Sequence, residues 1–210
     1  MNHIFKGVSS LLNKFVDSLY LGFLWFFCSL PIFTIGASTC ALYYAVQKTI
    51  VHGRSYAGKE FFHCFKKNFK QATLIWLGVL LFAAAMLFGA YQSRQGLLPA
   101  FFLYLYIIIL ALILMTAVYA FPYLSRFEDC TSAIIKNCLV ISAANFGKTL
   151  VLLLVIASAA VAVWIIPPLI IILPAFLMRL IESIEEKIFC KYLSEEALQQ
   201  EFRRNRSFKN

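Results

Sequence analysis

Long apolar runs separated by short basic stretches organise this chain. No charged residue falls between positions 18 and 47, and none between 150 and 178. Two more uncharged runs, 73–91 and 99–121, have the length of a bilayer crossing. A half-buried surface helix would return a polar face every turn, and these runs do not. The pattern predicts an all-α fold, a polytopic transmembrane helical bundle built from five apolar segments.

The first run is 30 residues, 18–47. As a straight helix it would extend roughly 45 Å, against a hydrocarbon core of roughly 30 Å. Pro31 and Gly36 interrupt it near its middle, and Ser38 or Thr39 could cap a new helix there. The expected arrangement is a hairpin of two short helices, six helices in all. A single tilted, kinked span with its N-terminus outside is the alternative. A second break is expected at Pro167 and Pro168, where residues 149–166 already suffice for one crossing. Residues 1–17 place Phe5, Val8, Leu11, Leu12, Phe15 and Val16 at helical spacing, an amphipathic lead-in at the membrane surface.

Charge gathers between the runs. Lys48, Arg54, Lys59, Lys66, Lys67 and Lys70 face a single acid, Glu60, across residues 48–70. Phe61, Phe62, Phe65 and Phe69 recur there at helical spacing. The expectation is a short interfacial helix, its phenylalanines in lipid and those six basic residues on anionic headgroups. Packing of the same helix on the bundle is the competing reading. Pro122 is expected to end the 99–121 run. A second polar loop, 123–148, follows with Arg126, Lys136 and Lys148, and an interfacial amphipathic helix is expected there too. A solvated helix is expected to begin with Glu185, Glu186, Lys187 and Lys191. Residues 1–193 then form one transmembrane domain, and 194–210 a basic tail with Arg203, Arg204, Arg206 and Lys209. Basic loops mark the cytoplasmic side, so the C-terminus is expected to be cytoplasmic, with the nearly bare 92–98 and Pro167-Pro168 connectors outside.

Composition supports the bilayer. Of 210 residues, 61% are hydrophobic and 14% charged, and mean hydropathy is +0.79. A soluble domain of this size has too little interior to hide that surface. The net charge of +9 fits headgroup contact, and no nucleic-acid-binding fold is visible. Cys28, Cys40, Cys64, Cys130, Cys138 and Cys190 contain no Cys-x-x-Cys pair, and His3, His52 and His63 lack ligand spacing. Free thiols are expected, with no metal and no cofactor.

Two parts of the chain resemble each other. Asn68-Phe69 leads to Thr73-Leu74, and Asn145-Phe146 leads to Thr149-Leu150; Ala41 and Tyr43 match Ala117 and Tyr119. Offsets of 76 or 77 residues suggest an internal duplication. It would turn the chain at 31–36 on the outer face and put Lys6 and Lys14 inside.

Leu30-Pro31, Thr34, Gly36, Ala41-Leu42-Tyr43-Tyr44, Phe61-Phe62, Phe65-Lys66, the stretch Asn68-Phe69-Lys70-Gln71-Ala72-Thr73 and the ending Phe189-Cys190-Lys191-Tyr192 give the chain a further likeness. It resembles the YesL-like family of bacterial integral membrane proteins, a domain of unknown function. The resemblance implies a place beside carbohydrate-uptake systems, with a carbohydrate importer permease as the candidate partner. It supplies no catalytic or binding residues.

The ionisable pair most exposed to membrane chemistry is Arg179 and Glu182. Counted from Pro168, Arg179 lies eleven residues into its helix, roughly 16 Å along it. Charges at such depth are costly and often functional, although a long arginine also snorkels to the interface. Glu182, three residues on, shares its face. No Ser/His/Asp arrangement and no phosphate loop appears, so an enzyme is not expected. The expected function is a non-enzymatic accessory or regulatory component of carbohydrate uptake. The alternative is a small transporter whose polar path is lined by Arg179 and Glu182.

Overall fold

The computed structural model describes residues 2–51, 56–95, 100–127 and 129–192. Seven α-helices carry these residues, and no strand occurs among them. They are α1 (Asn2–Cys28), α2 (Ile35–Val46), α3 (Ala57–Arg94), α4 (Ala100–Arg126), α5 (Thr131–Ala144), α6 (Phe146–Ile165) and α7 (Leu169–Tyr192). Arg54, Pro99 and the tail 194–210 lie outside the described residues.

The break at Pro31 is real, and its chemistry is local. Helix α1 ends at Cys28, and a single 3-10 turn, Ile32–Thr34, leads into α2. Thr34 donates its hydroxyl toward the carbonyls of Cys28 and Pro31, both at 2.6 Å. This satisfies acceptors that the broken helix leaves over. Trp25 donates its indole N–H to the Thr39 hydroxyl at 3.3 Å, joining α1 to α2 across the turn. Trp76 of α3 reaches the turn from outside and donates to the Ile32 carbonyl at 2.8 Å. Two helices folded back on each other result. Gly36 lets them sit close to α3: an added Cβ would lie 2.6 Å from Trp76 Cβ and 2.8 Å from the Ala72 carbonyl.

Helix α2 is the core element. Ala37, Cys40, Ala41, Leu42, Tyr43, Ala45 and Val46 are all 1% exposed or less. It packs against α1, α3, α4 and α7. Small residues dominate its contact faces, which allows backbones to approach where lipid offers no hydrophobic drive between helices. At its end the helix widens into a π-helical turn, Gln47–Val51, with Gln47, Lys48, Thr49 and Ile50 buried.

Among the described residues, three helices are long and apolar enough to cross a membrane: Ala57–Arg94, Phe101–Arg126 and Phe146–Ile165. Leu81, Phe101, Leu154 and Trp164 on them stand exposed, Trp164 at 88%. Lipid is the medium that accepts such surface without penalty.

Several expectations change. From residue 57 to 70 the basic stretch is no separate interfacial helix, because α3 carries it without interruption into the span. Phe61 of that stretch is fully buried and Phe65 and Phe69 pack against the core, while Phe62 alone of the four is exposed. Packing on the bundle therefore prevails over insertion into lipid for this face. Pro122 does not end its helix, since α4 continues to Arg126. A proline removes one backbone bond, and the burial of Tyr119, Phe121 and Leu124 around it outweighs that loss. In the second polar loop a helix is present, α5, and it packs on α4. At Pro167 and Pro168 the break stands as expected, between α6 and α7.

Candidate functional site

Polar side chains converge where α2 and α4 finish and α7 approaches its end. Arg126, the last residue of α4, has a side chain 3% exposed and pairs with Glu186 of α7. Its guanidinium also lies over the Phe189 ring, 5.5 Å from the centroid. Gln47, with its amide oxygen turned toward α4, accepts from Arg126 Nε at 2.9 Å. One side chain thus ties the π-helical turn, α4 and α7 together. A planar guanidinium with five donors suits this, and an ammonium would not.

Acids and bases balance around it. Glu182 and Glu185 of α7 are 4% and 0% exposed. Lys48 is 2% exposed, with its Nζ 5.4 Å from the centre of the Tyr44 ring. Tyr43 sits within electrostatic reach of Arg126, Glu182, Glu185 and Glu186. With Arg179, the cluster holds three cations and three acids. Buried charges that are paired, as Arg126 is with Glu186, fasten helices; left single, each would cost several kcal/mol, on the order of the whole fold's margin.

The hydroxyl network beside it joins the repeat-related segments. Tyr119 shares a hydrogen bond with Thr149 at 3.0 Å, and Thr149 also reaches the carbonyls of Ser142 and Asn145. Tyr123 donates to Asp129 at 2.8 Å and accepts from Asn137 at 3.0 Å. Tyr123, Phe127 and Phe189 line, with Lys136, Asn137, Val140 and Ile141, an open cavity of about 270 Å³. Burial pushes the Cys138 thiol of α5 up to about 12, and charge on Glu185 adds to this. That thiol is inert at neutral pH.

The expected pair is present but plays an uneven part. Arg179 Nη1 lies 3.5 Å from Glu182 Oε2, with side chains 41% and 6% exposed. Glu182 belongs to the buried cluster, and Arg179 sits on its rim. Of the expected headgroup contacts, Lys59, Lys66, Lys67 and Lys70 are exposed along α3. Lys48 is a correction: held under Tyr44 in the π-helical turn, it does not reach a lipid surface. Glu185 and Glu186 are a second correction. Expected in a solvated helix, Glu185 is fully enclosed and Glu186 is engaged by Arg126. The spacing of Glu182, Glu185, Glu186 and Phe189 gave the available signal, one helix face shared by three acids and an aromatic.

The thiols present a smaller cluster. Cys40 and Cys64 bring their sulfurs within 3.9 Å between α2 and α3, and Asn68 donates to Cys64 at 3.3 Å. Cys28, Cys40, Cys64, Cys130 and Cys138 are free. No group of three or more His, Cys, Asp or Glu able to hold a metal occurs among the described residues.

A helical bundle with, among its described residues, three membrane-length apolar helices and a buried ionic cluster where α2, α4 and α7 meet is a membrane protein. Residues 18–90 match a family described as "Protein of unknown function, DUF624". The match takes in the hairpin, the π-helical turn and most of α3, and stops before α4 and α7. No curated protein and no solved structure matches the chain.

Proposed function

We propose that this protein is a non-enzymatic accessory or regulatory component of a bacterial cytoplasmic membrane, acting through contact with partner helices. The observation supporting this reading is the use made of the buried ionic residues. Arg126, Gln47 and Glu186 hold α2, α4 and α7 to one another, so their charges serve helix packing. The exposed lysines at 59, 66, 67 and 70 give the same end of the molecule a basic surface suited to anionic headgroups. By the positive-inside rule that end and the C-terminus are cytoplasmic. The resemblance to the YesL-like family directs the partner reading toward the permease of a carbohydrate importer.

Affinity purification from bacterial membranes in mild detergent tests this. A permease should co-purify, and deletion should lower sugar uptake while the permease is still made. Normal uptake in the deletion strain would remove the importer from the reading.

A second reading, a small transporter, draws on Glu182, an acid 4% exposed within α7 and tied to Arg179. It requires solute movement by the purified protein in liposomes and loss of that movement in Arg179→Ala. A wild-type rate in the variant rejects Arg179 as a path residue.

A further inference from the structure

Glu185 stands apart from the ion pairs around it. None of its surface is exposed, and neither carboxyl oxygen has a hydrogen-bond partner among the described residues. The Tyr43 hydroxyl faces it from α2 as a hydrogen-bonding neighbour in reach, short of a well-formed bond, and has no other partner among the described residues. Around the carboxyl stand Tyr43 of α2, Tyr119 and Arg126 of α4, Cys138 of α5, and Glu182 of its own helix. Arg126 is the cation in that set, already engaged by Gln47, Glu186 and Phe189. Glu182 adds a second acid, whose charge opposes one on Glu185.

The repeat sharpens the contrast. Tyr119 has Thr149 as its hydroxyl partner, whereas Tyr43 has no such bond to Thr73, its corresponding threonine. Thr73 is itself without a partner. The chain completes this pair in one half and leaves the other tyrosine turned to Glu185. A carboxylate enclosed here could accept from the Tyr43 hydroxyl, but it would keep its charge beside Glu182 and leave its remaining acceptors empty. A carboxylic acid would lose the charge and gain a donor aimed at Tyr43.

We propose that Glu185 is a proton-binding site, in which the enclosed carboxyl between α2 and α7 carries a proton at neutral pH and donates it to the Tyr43 hydroxyl. The proton comes from water, and no other bond changes. Its loss would put a second acid charge beside Glu182 and compete with Glu186 for Arg126. The α4–α7 fastening would loosen as a result. This inference goes beyond the partner reading and does not depend on it.

Infrared spectroscopy of the full-length protein, in a detergent free of ester groups, tests it. Wild-type protein should show a protonated-carboxyl stretch at neutral pH that disappears in Glu185→Gln and persists in Glu186→Gln. Glutamine matches the neutral acid in shape and takes up no proton on folding, so Glu185→Gln should match the wild-type melting temperature at about pH 4 and exceed it at neutral pH. A buried acid that keeps its proton only when folded makes stability fall as pH rises above the ordinary glutamate value of about 4.3. Wild type should show that fall, and Glu185→Gln should lose this contribution to it. If Glu185→Gln does not fold, Tyr43→Phe decides, because removing the acceptor must move the band to higher frequency. A wild-type spectrum without the band, a band unmoved by these changes, or sodium-dependent stabilisation abolished by Glu185→Gln would overturn the proposal. The last result would assign the carboxylate to a metal cation.

Discussion

Arg126 carries its charge into a nearly closed site and is held there by an amide, a carboxylate and a ring. Arg126→Ala leaves Gln47 and the buried acids without that cation. We expect a loss of about 2–4 kcal/mol, less than for a fully buried pair because Glu186 is half exposed and regains water. Thermal unfolding in detergent should show it, and Arg126→Lys should recover little, having lost the planar fork. Tyr119→Phe removes only the shared bond to Thr149, whose hydroxyl keeps backbone acceptors. About 0.5–1.5 kcal/mol should disappear in the same measurement. Little of this was legible residue by residue. Lys48 reads as one more loop lysine and Glu185 as the start of a solvated segment. The burial of Glu185 depends on α4 neighbours, Arg126 and Tyr119, that lie about sixty residues away along the chain, and that of Lys48 on the packing of the π-helical turn. Arg179 and Glu182 were legible as a pair because a helix alone sets that spacing.

Among the elements, the breaks were the most readable part. Proline and glycine act on their own few residues, so Pro31, Gly36, Pro167 and Pro168 mark their turns without knowledge of the fold. Pro122 carries the same local signal and is overridden, because packing around Tyr119 and Leu124 keeps α4 intact past it. Continuity of α3 was hidden for the opposite reason, since the change from lysines to apolar residues looks like an end. The close approach of α2 and α3 yields a prediction at this scale. Gly36→Ala forces a methyl group against Trp76, the Ala72 carbonyl and Phe121, the last at 2.9 Å. Overpacking should cost about 1–3 kcal/mol and lower the melting temperature. An unchanged melting point would mean that α2 and α3 separate without penalty.

For the whole molecule, the proposed arrangement places the charged end in the cytoplasm. Single cysteines introduced as Lys6→Cys, Lys66→Cys and Pro167→Cys in a cysteine-free background test this placement. A membrane-impermeant thiol reagent applied to intact cells should label only the Pro167 position. Labelling at position 6 would separate the start of α1 from the other basic segments. The bilayer environment was the most legible property of all, because it rests on bulk composition and needs no contact to be known. Which helices touch was not legible, since apolar faces toward lipid and toward neighbours use the same residues.

The turn at Pro31 also determines what the protein's own light reports. The chain has three tryptophans. Trp25 and Trp76 flank that turn and are hydrogen-bonded across it, while Trp164 stands almost bare at the end of α6. A quencher dissolved in the lipid should silence Trp164 first. The remaining emission then reads the hairpin alone, so opening of this one turn is observable without attaching a dye.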